Sequence, residues 1–278
     1  MAFNRVVEVL LGPAGSIGTL IKDLRISFKV IKTEKESTNS ASIMIHNMDR
    51  NTANKVAVAK NKVILRAGYS DEGIANLFFG DITSVTISKD GTDRILEIKA
   101  HDGQYAIQNK NITVSYSAGT TKQKIFNDLV LAFGIPLANQ SVVVSGQYSN
   151  GWAFAGKVKD ALSELLESVN KNWSIQNEQL VVSGSNDVIQ RTGLLISPDT
   201  GLIDMPESLS DQDEKQTENI DVPKRFRIKC LLFPQLFPNI ELKLQSSTVN
   251  GTYKVESVSF TGDNYEGDFM SDVQVVSI

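Results

Sequence analysis

The chain has 278 residues, 41% of them hydrophobic and 22% charged, with 19 glycines and 7 prolines. That supplies a sizeable core and, on length, about two domains, and it excludes a low-complexity chain. A net charge of −4 and a pI near 5.4 offer no basic surface for neutralising phosphates, which excludes nucleic-acid binding as a main role.

The opening stretch from Met1 to Gly12 is apolar but interrupted by Glu8, too short for a secretory apolar region and without a small-residue cleavage site. It reads as a first strand. No window has the length of a membrane-spanning helix, so a soluble protein made in the cytoplasm, without membrane insertion, is expected. Asp23 to Lys32 alternates, with Leu24, Ile26, Phe28 and Val30 on one face. Ala41 to His46 and Lys62 to Tyr69 repeat the pattern, while Asn47 to Ala59 has room for one or two helical turns. Asn76 to Lys89 and Arg94 to Ala100 flank Asp90-Gly91, a strong hairpin signal. Residues 1–108 are therefore expected to form a barrel-like antiparallel β domain.

The pattern changes near Asp102. Thr120 and Gln123 have the spacing of a capping box, Ile125, Phe126, Leu129, Val130 and Phe133 follow at helical spacing, and Gly134 and Pro136 end the helix. A second helix carries Val158, Ala161, Leu162, Leu165, Leu166 and Val169 on one face. Strands are expected at Ile112 to Tyr116, Ser141 to Val144, Trp173 to Gln176 and Gln179 to Val182. Residues 109–189 thus read as a small α+β domain. Trp152 and Trp173 could stack on a sugar, but an aromatic beside an apolar helix is usually core.

Residues 190–278 return to strands: Arg191 to Ile196, Arg225 to Leu232, Ile240 to Gln245, Tyr253 to Thr261 and Phe269 to Ile278. Pro198-Asp199-Thr200-Gly201 supplies one turn, and Asn250-Gly251 and Gly262-Asp263-Asn264 carry turn chemistry for others. The stretch 204–221 holds seven carboxylates against Lys215 alone and reads as a long acidic loop. The fold class expected is α+β and mostly β, with two barrel-like domains flanking the α+β piece.

Chemistry is hard to place. The two histidines, His46 and His101, stand apart, and His101 and Asp102 point to opposite faces if both lie in a strand. The lone Cys230 sits in an apolar run and reads as a small buried hydrophobe. One cysteine and two histidines do not make a zinc site, and the acidic loop and Asp263, Glu266 and Asp268 do not match a calcium loop. Glu8, Glu97 and Glu256 occur singly rather than as the paired carboxylates of a glycosidase. No enzyme activity, metal or cofactor is expected.

One set of residues is distinctive. Thr192-Gly193-Leu194-Leu195, Pro198 to Ile203 and Pro206-Glu207 precede Ile228 to Pro234, and Leu242 to Ser246, Asn250 to Val258 and Gly262-Asp263 follow. With Gly80-Asp81-Ile82 and Ala100 to Gly103, this set resembles the hub proteins of long-tailed phage tails and baseplates and of related contractile injection machines. The resemblance implies a structural virion protein, a homotrimer whose paired β domains adapt a six-fold tail tube to a three-fold spike or tail-tip protein. The tape measure protein would be a further partner. Phe78, Phe79, Phe233, Leu236 and Phe237 are the apolar candidates for its interfaces. The alternative is a cell-wall-binding or peptidoglycan-degrading tail component.

Overall fold

Alternation shapes the first part of the chain. The computed structural model describes residues 4–36, 38–56, 58–139, 141–184, 187–209 and 223–278. In it β1 (Arg5–Gly12), β2 (Thr19–Ile21), β3 (Ile26–Thr33), β4 (Ser40–His46), α1 (Arg50–Val56), β5 (Lys62–Tyr69), β6 (Gly73–Asp90) and β7 (Asp93–His101) follow in order. Ile26, Phe28 and Val30 of β3 and Ile43 and Ile45 of β4 point inward, while Lys29 and Met44 face out. That is the two-residue period of a half-buried strand. β6 and β7 pair Asp90 with Asp93, and Gly91 takes the positive φ (59°) that so tight a reversal needs.

The middle of the chain switches to helical spacing. It comprises α2 (Gln104–Asn109), β8 (Asn111–Tyr116), β9 (Thr120–Thr121), α3 (Lys122–Phe133), β10 (Gln147–Tyr148), β11 (Trp152–Lys157), α4 (Val158–Glu167), β12 (Lys171–Gln176) and β13 (Gln179–Gly184). Three expectations need correction here. The cap of α3 is Thr121, whose side chain accepts from the Lys124 amide, not Thr120. Gln123 does not reach back to the cap; its Oε1 accepts from the Val144 amide at 2.7 Å. Ser141 to Val144 is not a strand, because that side-chain bond takes the place of a ladder partner, and β9 pairs with β10 instead.

The last part holds β14 (Gln190–Ile196), β15 (Glu207–Ser208), β16 (Arg225–Leu231), β17 (Ile240–Gln245), β18 (Asn250–Asp263) and β19 (Phe269–Ser277). Pro198–Thr200 forms one 3-10 turn, and Gly201 at φ 112° ends it. Asn250 and Gly251 lie inside β18 rather than in a turn, paired with Gln245 and Leu244. Of the expected acidic loop, Glu207 and Ser208 form β15 against Arg227 and Phe226; residues 210–221 lie outside the described residues.

Both strand-rich parts join in one 13-stranded sheet, where β3 pairs β18 from Thr33↔Ser257 to Ser27↔Asp263. Its pairs are antiparallel except for β14 with β17, and among the described residues no ladder closes on itself. Each part nevertheless curls. The first runs β3-β4-β7-β6-β5-β1-β2; laid flat, its ends would stand about 29 Å apart. Yet β2 and β3 are joined by residues 22–25 alone, a link that reaches at most about 18 Å. In the last part, Ser197 follows β14 and Leu202 lies along Cys230 of β16, and Ser197 O accepts from Leu202 N at 2.8 Å. One apolar cluster runs through both parts, from Val7 to Ala100 and from Ile196 to Val275. A second, around Phe126, Phe133, Leu165 and Trp173, belongs to the middle alone.

Candidate functional site

The two cores meet through polar groups. Asn177 and Glu178, at the tip of the β12–β13 hairpin, both take positive φ (51° and 63°), which turns the chain in two residues and aims their amides at the sheet. Asp102, just past β7 and fully buried, accepts from the Asn177 amide at 2.6 Å and the Glu178 amide at 2.7 Å. Buried Asn39 donates its Nδ2 to the Ile175 carbonyl (2.6 Å) and to Gln176 Oε1 (2.9 Å). Lys32 Nζ, from β3, donates to Asn177 Oδ1 at 2.9 Å. On the other flank, Lys62 Nζ lies between Glu178 Oε2 (2.8 Å) and Asp81 Oδ1 (2.7 Å). Gly103 N donates to Glu178 Oε1, and a Cβ at Gly103 would fall 2.4 Å from Ile175 Cδ1. With its φ of 61°, the position favours glycine.

Burial dominates the electrostatics of this joint. Desolvation pushes the Asp102 carboxyl up to about 6, with the Glu178 amide and the Lys32 ammonium pulling the other way. It pulls Lys32 down to about 8 against the attraction of Asp102. Both groups are therefore charged at neutral pH, but at a cost in solvation that their mutual attraction only partly offsets. Beside the joint, an open cleft of about 690 Å³ is lined by Lys60, Lys62, Asp81, Gln104, Tyr105 and Gln108.

The residues singled out from sequence are scattered. Phe78 and Leu236 are sealed in the chain's own core, while Phe79, Phe233 and Phe237 are half-buried. Phe79 lies under Lys62, whose Nζ is 5.6 Å from its ring centre. His101 and Asp102 make no dyad: the carboxylate is taken by Asn39, Asn177 and Glu178, and His101 Nδ1 faces Thr83 Oγ1 at 3.3 Å. Asp263 and Glu266 both bind Arg25 at 2.9 Å, and no group of three or more metal-binding side chains occurs among the described residues. Trp152 stacks between Tyr116, Tyr148 and Phe154, and Trp173 meets Phe133 edge-on. Both indoles are buried core. The joint itself escaped sequence reading, since Asp102 was weighed there only as a neighbour of His101 and set aside, and its partners Asn177 and Glu178 lie 75 and 76 positions away.

The family model described as baseplate hub gp41 matches residues 6–275. No curated protein matches this chain in sequence. Among solved structures, the fold is similar to the 43 kDa tail protein of prophage MuSo2 from Shewanella oneidensis, with a TM-score of 0.68 at 10% identity over 98% of each chain. It is also similar to the tail protein from Neisseria meningitidis MC58, with a TM-score of 0.65 at 11% identity over 99% of this chain and 97% of that one. The E. coli c3393 protein, a component of the type VI secretion system, gives 0.59 at 8% identity over 91% of this chain and 73% of its own.

Proposed function

Since this chain belongs to the baseplate hub gp41 family, we propose that it is a homotrimeric structural hub at the tip of a phage tail. Residues 1–108 and 190–278 supply two barrel-like β modules, and residues 109–189 an α+β module between them. Three copies would then present six similar β modules in a ring, matching a six-fold tail tube on one side and a three-fold spike or tail-tip protein on the other. The tape measure protein is a further candidate partner. Assembly takes place in the host cytoplasm, and the hub carries out no catalytic step; any wall cleavage falls to another protein.

The observation that supports this reading best is the strand order. Each strand-rich part begins and ends on strands brought together by a short stretch of chain, and the seven-residue β3–β18 ladder locks one part to the other. Two curled modules at a fixed angle are what a threefold assembly needs in order to present sixfold contacts. Closed symmetry also ends growth at a ring. Obligate interfaces are more apolar than ordinary surface, and Phe79, Phe233 and Phe237, each only half-buried, are the candidates for such contacts. Native mass spectrometry tests the stoichiometry: a particle of three 30.5 kDa chains is expected. Single chains persisting at micromolar concentration would overturn it.

A further inference from the structure

We infer that the β12–β13 tip is a latch, and that the middle module docks on the sheet and leaves it as a rigid body. This goes beyond the hub reading and does not depend on the number of subunits. The first ground is the separation of the two cores: no residue of the middle cluster belongs to the cluster of the sheet. An apolar seam would weld the parts together, whereas a polar contact leaves relative motion as the default.

The second ground is the shape of the contact. The tip enters the sheet at one point and places its two turn amides on Asp102. Lys32 and Lys62 grip its two side chains from β3 and β5. Away from that point the contacts are few and polar: Ser163 Oγ donates to Glu36 Oε2 at 2.6 Å at the surface, and Tyr105 N of α2 donates to Asp81 Oδ2 of β6 at 3.1 Å. A hydrogen bond to a buried charge is strong while made and costly to break singly, so the tip is held or released as a unit. Withdrawal would return Lys32 and Asp102 to water, which recovers the solvation they lose on docking. That recovery works against docking and favours release. Within the middle module, α3 and α4 pack on their own apolar core, so the module can keep its shape as it moves.

The test uses the full-length chain with nitroxide labels at Leu131→Cys on α3 and Ser88→Cys on β6, both exposed sites, diluted with unlabelled chain. Asn177→Gly keeps the positive-φ turn and removes the partner of Lys32. It should add a second distance population by electron–electron resonance. It should also speed amide exchange at 103–110 and 174–181 about tenfold, the worth of one hydrogen bond to a charged group, leaving β5 and β7 unchanged. Faster exchange at an unchanged label distance would mean a fraying tip and overturn the latch. So would exchange that rises equally in β5 and β7, or no change in either measurement.

Discussion

Cys230 lies near the end of β16 with no exposed surface, and burial pushes its thiol up to about 12. The thiolate is the reactive form, so the folded chain should resist thiol reagents at pH 8. Alkylation followed by mass spectrometry should show modification only once the sheet unfolds in denaturant. Asp102 makes a second residue-scale prediction. Its carboxyl is raised from 3.8 to about 6, so its contribution to stability is fully present below 3.8 and is lost as pH rises through 6. Lys32, on β3, and Glu178, on the hairpin turn, are the charged groups facing it. Asp102→Asn removes this titration. Between pH 4 and pH 6.5 the wild type should therefore lose more stability than the variant, by on the order of 1–3 kcal/mol, measured by urea denaturation.

At the scale of the element, a cap one residue later than its expected place decides which threonine matters. Thr121 Oγ1 accepts from the Lys124 amide at 3.3 Å, whereas Thr120 Oγ1 donates to the Ser117 carbonyl in the preceding turn. Thr121→Ala should destabilise α3 by about 1 kcal/mol, and Thr120→Ala by less, as read from thermal denaturation. Gly134, at φ 74°, ends the same helix, its amide returning to the Val130 carbonyl. The ends of α3 were legible in the sequence to within a residue, whereas α4 stops at Glu167, short of the Val169 expected in it, and α2 was not foreseen. The one-residue error arose because two adjacent threonines offer the same side chain, and only the three-dimensional path of the turn chooses between them.

The whole molecule is two apolar cores with a polar joint. Leu165 is fully buried in the middle core, and Leu165→Ala should cost about 2–5 kcal/mol there. Because the sheet has its own core, hydrogen exchange should show protection falling in 111–184 while β5 and β7 keep theirs. Equal loss in both would mean that the cores unfold as one. The β3–β18 seam is the other feature of this scale. It pairs residues more than 200 positions apart, buries Val30 and Phe260 with no exposed surface, and fuses the parts that local pattern had separated.

What the sequence determined is what local chemistry determines. Two-residue alternation placed Ile26, Phe28, Ile43 and Val63 inside, helical spacing placed Leu162, Leu165 and Leu166 inside, and Asp90-Gly91 turned the chain where it stands. These signals act within a few residues, so they survive without knowledge of the fold. Tertiary structure alone decided the seam between β3 and β18, the parallel pairing of β14 with β17, and the role of Asp102 as the anchor of a joint. Each depends on segments distant in sequence meeting across a shared surface, and burial by such a partner, not residue type, sets what a carboxylate or a lysine does.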